Sequence, residues 1–222
     1  MKIGRIFAFC MAAAVCVSCS LEPFDENPLP VGPTDSKPTI SEESTMFVKE
    51  EKSDVYVFQT NDRKYLGSRG YTLWGVKNIN QSDRFEPLSV QITKQGGRAE
   101  AGFGMVFCEQ EIENKSFLLT VLLNANGLYA IGKIVDGAFI HLNNGWVESE
   151  FINKGLGVSN DVSVTYSEEK ECFNLKINGQ EITSFSVAEE ISFKNSRSGY
   201  VVVIASDENF PSKPVKVIFR NN

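Results

Sequence analysis

Few side chains in this 222-residue chain could run hydrolytic chemistry: two acidic clusters and a single histidine. Glu109-Gln-Glu-Ile-Glu113 carries three carboxylates at alternate positions, which share one face if the stretch is a strand. Glu148-Ser-Glu150 offers two more, just after Trp146. Two carboxyl groups roughly 5–9 Å apart can divide the work of glycoside hydrolysis between them. The first cluster, however, sits between Cys108 and Asn114-Lys-Ser116 and reads as a solvated loop, and the second reads as a solvated edge. His141 alternates with Ile140 and Leu142 and reads as a polar residue on a strand face, with no nucleophile motif around it. One His and no Cys-x-x-Cys give a transition metal no support. The expectation is a protein that is not an enzyme.

Binding chemistry is better represented. A sugar site needs an aromatic platform for C–H faces and nearby amides or carboxylates for hydroxyls. Asn143-Asn144-Gly145-Trp146 offers that composition within four residues, and Trp74, close to Tyr71, is the second indole. Trp146, Asn143, Asn144 and Trp74 are therefore the candidate glycan-binding residues. The plain alternative is that each Trp packs structurally and that the two Asn turn the chain. No Gly-rich phosphate loop is present; Gly102-x-Gly104 falls inside an apolar run, where glycine lets a neighbour approach closely.

These residues must be positioned by strands. Leu88, Val90 and Ile92 alternate; Phe117 to Leu123 is apolar throughout; Phe173, Leu175 and Ile177 alternate and end at Asn178-Gly179, a tight-turn signal. Val135-Asp-Gly137 opens a further hairpin into Phe139 to Leu142, and Val187 to Phe193 is the one short stretch with a helical look. About a dozen short strands at this spacing exceed an immunoglobulin unit, and no repeat of solenoid length is visible. The fold expected is all-β, a two-sheet antiparallel jelly-roll sandwich over residues 45–222. Cys108 and Cys172 lie within it, and both a disulfide and two free thiols stay open, because sequence does not fix their separation.

The first 18 residues are set aside. Lys2 and Arg5 precede an apolar run, Ile6 to Val17, too short to span a bilayer, and Ser18-Cys19 follows. This resembles a bacterial lipoprotein signal, which implies lipid on Cys19 as the new N-terminus and membrane attachment through it. Residues 19–44 form a tether with five prolines and interspersed acids, stiff and solvated. Acids soon after the cysteine resemble the surface-export signal of Bacteroidetes lipoproteins, implying an outer-membrane protein exposed at the cell surface. Loss of Lys2 and Arg5 leaves 20 basic residues against 28 acidic, a balance of −8, which argues against nucleic-acid partners.

Gly102-Phe-Gly-Met-Val-Phe107, Gly127-Leu-Tyr-Ala-Ile131, Trp146, Asn160 before a Val-rich strand, and Phe173 through Ile177-Asn-Gly179 together carry a family likeness. The chain resembles the concanavalin A-like lectin/glucanase jelly rolls, laminin G-like domains included, over about residues 86–220. The glucanase branch uses a Glu-x-Asp-x-x-Glu strand that this chain lacks. The resemblance also implies structural calcium through Asp and Asn oxygens, with Asn160, Asp161 and Asp136 as its candidates; no other cofactor is expected. The function expected is non-catalytic glycan binding by a lipid-anchored envelope protein. The alternative is a structural or protein-interaction accessory of an outer-membrane complex, with glycoside hydrolysis a distant third.

Overall fold

The computed structural model describes residues 47–50, 54–62, 71–205 and 213–221. The signal segment, Cys19 and the tether fall outside the described residues. In chain order the strands are β1 (Phe47–Lys49), β2 (Val55–Thr60), β3 (Tyr71–Ile79), β4 (Leu88–Gly96) and β5 (Phe103–Ile112). Then come β6 (Lys115–Leu123), β7 (Leu128–Val135), β8 (Ala138–His141), β9 (Val147–Glu148) and β10 (Ser159–Ser167). The last are β11 (Cys172–Ile177), β12 (Gln180–Phe185), β13 (Arg197–Ile204) and β14 (Val215–Asn221). They form two antiparallel sheets, one ordered β1-β2-β14-β4-β10-β11-β12 and the other β3-β13-β5-β6-β7-β8, with β9 pairing β7.

Alternation decides which side chains meet between the sheets. Val90 and Ile92, Phe173, Leu175 and Ile177, and Val217 and Phe219 project inward from the first sheet. Phe103, Met105, Phe107, Leu119, Val121, Tyr200 and Val202 meet them from the second. Phe58, Phe107, Phe173 and Phe219 are fully buried, and each such side chain contributes roughly 2–3 kcal/mol of transfer free energy. The ring of Tyr200 stacks on Phe219 at 4.4 Å between centroids, joining the sheets. The N-terminal segment belongs to this core: β2 pairs with β14, and Phe47 packs against both Phe58 and Phe219.

Turn chemistry agrees with sequence at the hairpins. Asn178-Gly179 and Asp136-Gly137 both have positive φ at the two turn positions, as a type I′ turn requires. Cys172 points away from the core, and Cys108 and Cys172 are unpaired thiols. Burial pushes the Cys108 thiol up to about 12.

Two expectations are corrected. Val187 to Phe193 forms no helix; the stretch crosses from β12 towards β13 in bends and extended backbone. Val187, Ile191 and Phe193 pack on the main core there and the Ser192 amide donates to Gln110 Oε1, so tertiary contacts override the local pattern. Glu109 to Ile112, read as a solvated loop, continues β5 as strand, and Glu109 is largely buried. The loop begins only at Glu113-Asn114, where both residues turn to positive φ.

Candidate functional site

The second sheet is apolar on both faces, so β6 is buried at every position from Phe117 to Leu123. Directly paired residues of antiparallel strands share a face. The pairings Trp74–Val201–Gly104–Leu122–Ala130 therefore make one row across the sheet, on the side away from the main core. A neighbouring row reads Gly199–Val106–Thr120–Gly132–His141. Val106, Leu118, Leu122, Ala130 and Val201 form a second cluster on this outer face, and Trp74, Ile134, Phe139 and Trp146 pack against it. Thr120, buried in the same row, donates its hydroxyl to the Met105 carbonyl at 2.9 Å and leaves no polar group bare.

Glycines seat the aromatic rings. A Cβ on Gly102 would lie 3.2 Å from Trp146 Cη2, and one on Gly132 would lie 2.3 Å from Phe139 Cζ. Each ring thus covers backbone that no side chain shields. Both Trp residues are half-buried on one cluster, outside the inter-sheet core.

The Asn143–Trp146 set divides. Asn143 Oδ1 accepts from the Ile131 amide at 3.1 Å, which extends the β7 ladder, while Asn144 is exposed. Asn143 Nδ2 is buried without an acceptor among the described residues. His141 sets its ring edge-on to Phe139 at 4.7 Å between centroids. Partial burial lowers its pKa, opposed by a hydrogen bond with Asn143.

At the other side of the face is a polar group that sequence reasoning did not assemble. Lys77 Nζ lies 4.0 Å from the Trp74 ring centroid and 3.9 Å from Glu109 Oε1. Arg197 Nε closes on Glu109 Oε2 as an ion pair, and this oxygen has no hydrogen-bonded partner, so the contact lies off the hydrogen-bond axis. Regular alternation would put Trp74 and Lys77 on opposite faces, and likewise Val106 and Glu109. Two β-bulges prevent this. Each neighbour of β13 carries one extra residue, β3 opposite Gly199 and β5 opposite Ser198. The bulges contain Val76 and Cys108, at φ 62° and 54°, and both turn into the main core. A β-branched residue at positive φ is strained, on the order of 1 kcal/mol or more. Gly199 permits the arrangement: a Cβ there would meet the Gly75 oxygen at 2.3 Å and the Val76 oxygen at 2.6 Å. The legible signal was limited to Gly75 and Gly199 inside apolar strands.

The other sequence candidates are occupied elsewhere. Glu148 is exposed and accepts from Lys154 Nζ at 2.7 Å, and that bond holds its carboxyl below the usual range. The calcium candidates do not form a donor set. Asn160 Oδ1 accepts from the Asn153 amide and from Asn178 Nδ2, Asp161 accepts from Gln91, and Asp136 accepts from the Ser116 amide. Among the described residues no group of three His, Cys, Asp or Glu could hold a metal ion.

No protein-family model and no curated protein matches this chain. Solved structures do. The Bacillus licheniformis beta-glucanase aligns with a TM-score of 0.50 at 6% identity, covering 79% of this chain and 80% of that one. The carbohydrate binding module CBM66 from Bacillus subtilis aligns at 0.45 with 11% identity, covering 79% and 88%. Sheep galectin-11, in complex with glycerol, aligns at 0.42 with 7% identity, covering 67% and 97%. Identities this low speak to fold alone. The fold is the concanavalin A-like jelly-roll sandwich, as the glucanase alignment shows.

Proposed function

We propose that this protein is a non-catalytic glycan-binding jelly roll, held by lipid on Cys19 to a bacterial outer membrane and exposed at its surface. The observation that carries the binding reading is the outer face of the second sheet. A sandwich sheet ordinarily shows polar side chains there. Here the floor is apolar, Trp146 and Phe139 lie half-exposed on glycine seats, and charged groups flank the floor. Rings beside hydrogen-bonding groups suit a sugar, which offers C–H faces and hydroxyls together. The anchor rests on the signal-like residues 1–18, on Cys19 and on the acidic, Pro-bearing tether. The non-catalytic reading rests on Glu109 and Glu148 each being committed to cations, Glu109 to Lys77 and Arg197 and Glu148 to Lys154.

The test is binding of the full-length protein in detergent to a broad polysaccharide and glycan panel, with Trp146→Ala alongside. Saturable binding that the variant loses supports the reading and its site. Binding that Trp146→Ala leaves intact removes this face from the site.

A second reading is favoured by one observation. Phe151, Leu156 and Val158 are exposed at 41%, 46% and 38%, on a loop whose backbone is fixed by Asn153, Asn160 and Asn178. Apolar side chains on a preorganised loop suit a protein partner. Silence of the folded protein across the panel, with a cross-linked envelope protein lost in Leu156→Asp, would favour that accessory role.

A further inference from the structure

We infer that the loop of residues 149–158 rests in the interface of a lipid bilayer and sets which end of the sandwich faces the membrane; the inference rests on the Cys19 anchor proposed above. Phe151, Leu156 and Val158 are exposed together on this loop. Val48, Ile79 and Ile140, the other exposed large apolar side chains among the described residues, stand singly on β1, β3 and β8. The exposure is built in. Ile152, beside Phe151, is buried in the main core, and Asn178 Nδ2 donates to the Phe151 carbonyl at 2.7 Å. The Gly155 amide donates to the Ala125 carbonyl at 2.8 Å and the Gly157 amide to the Lys94 carbonyl at 2.7 Å. The backbone is thus tied down along its length while three apolar side chains face outward.

The point where the chain enters the fold selects what covers this loop. Phe47 opens β1 and pairs with Phe58, so the chain from Cys19 reaches the domain near the end of β2. Thr60 there pairs with Val215, Lys216 with Gly96, and Thr93 with Ser159. These pairings put the end of β2, the start of β14, the end of β4 and the start of β10 at one end of the sandwich. Loop 149–158 runs straight into Ser159 and lies at that same end. Lipid on Cys19 therefore draws the domain down by the end from which the three side chains protrude. Residues 19–46, about 3.3–3.6 Å each at full extension, leave room for a raised or a seated domain, and the apolar side chains decide for the seated one. Charge does not oppose it. Glu150 and Lys154, the only charged residues of 149–158, cancel on a chain of formal charge −6. A stable protein interface takes roughly 20–30 residues a side, so three side chains suit lipid better than a protein partner. Interfacial binding scales with the apolar area buried, and this small area orients an anchored domain without holding a free one. With that end down, the strands stand upright and the outer face of the second sheet opens sideways.

The test places a spin label at Leu156→Cys or, in the turn between β10 and β11 at the opposite end, at Lys170→Cys. Both are made in the full-length lipidated protein with Cys172→Ser, because Cys108 is buried and Cys172 is the more accessible thiol. The protein is carried on vesicles of phosphatidylethanolamine and phosphatidylglycerol, and collisions of the label with oxygen and with a polar nickel chelate are read by paramagnetic resonance. At position 156 the label is expected to gain oxygen collisions and lose nickel collisions on vesicles; at 170 it should do neither. Phe151→Asp with Val158→Asp should return the label at 156 to water while the protein still floats with the vesicles and still carries fatty acid. Equal nickel access at 156 and 170, on protein that floats, overturns the seating and leaves the anchor standing. Loss of both oxygen and nickel collisions at 156 means that a protein surface covers the loop, and also overturns it. A label that stays in lipid in the double Asp variant overturns the assignment to these side chains. Folded protein that carries no fatty acid and does not float overturns the anchor reading and the seating with it.

Discussion

The ammonium of Lys77 stands 4.0 Å from the ring centroid of Trp74, so one face of that indole is already taken by a protein cation. Trp146 has no such cap among the described residues; its ring lies over Gly102 and packs on the outer-face cluster. The two tryptophans, equal candidates by composition, therefore have different work. Trp146 is the contact surface, and Trp74 holds Lys77 beside Glu109.

A pair of truncations separates these roles. Trp146→Ala is expected to weaken glycan binding by tenfold or more, as loss of a central aromatic anchor does. Trp74→Ala should leave glycan binding within a few-fold of the parent. Titration calorimetry on both variants reads this directly. Equal losses in the two variants would defeat the division of labour.

Much of this architecture was legible. The alternation of Phe173, Leu175 and Ile177 and the turn at Asn178-Gly179 gave β11 and its hairpin, because period and turn chemistry are local properties. The doubly apolar run Phe117 to Leu123 signalled a strand covered on both faces. What covers it was not legible. Trp74 and Trp146 meet one cluster through the β3-β13-β5-β6-β7 pairing order, which is non-local. Lys77, Glu109 and Arg197 were hidden for a different reason. Their shared face depends on bulges at Val76 and Cys108, and neither residue type advertises a positive φ.

Lys94 gives a prediction about stability. It projects into the core at 1% exposure, donating to the Ala101 carbonyl at 2.6 Å. Burial lowers its pKa to about 7, with Glu100 opposing. The unfolded chain keeps the ordinary Lys value and so binds more protons between about pH 7 and pH 10.5. The penalty is complete below about pH 7 and is relieved as pH rises. Above about pH 9 the elevated Cys108 and Tyr200 pull the other way, since their deprotonation is disfavoured in the fold. Wild-type Tm should therefore climb from pH 7 to pH 9. Lys94→Met should abolish the climb and raise stability at pH 7 by about 1–3 kcal/mol, since replacing a buried charge by an apolar side chain removes its desolvation cost. Differential scanning calorimetry across that range decides it. A variant less stable than wild type at pH 7 would show that the Ala101 contact outweighs desolvation.

The anchor has its own test. Cys19→Ala should release the protein from membranes into the soluble fraction and abolish labelling by a clickable fatty acid. Fractionation and labelling together check it. Retained, unlabelled membrane association would mean that something other than lipid on Cys19 holds the protein.

Gly199→Ala tests whether the paired bulges are held in place by packing. The new methyl would meet the Gly75 and Val76 oxygens at 2.3 and 2.6 Å, both backbone atoms that cannot swing aside. β3 must then lift from β13, in the segment that carries Trp74 and Lys77. The expected cost is about 2–4 kcal/mol, because the clash is with backbone in the middle of a sheet. Urea unfolding should show a lower midpoint with an unchanged slope. A Gly199→Ala protein as stable as its parent would mean that β3 yields freely here. Val76 would then be able to relax from its positive φ.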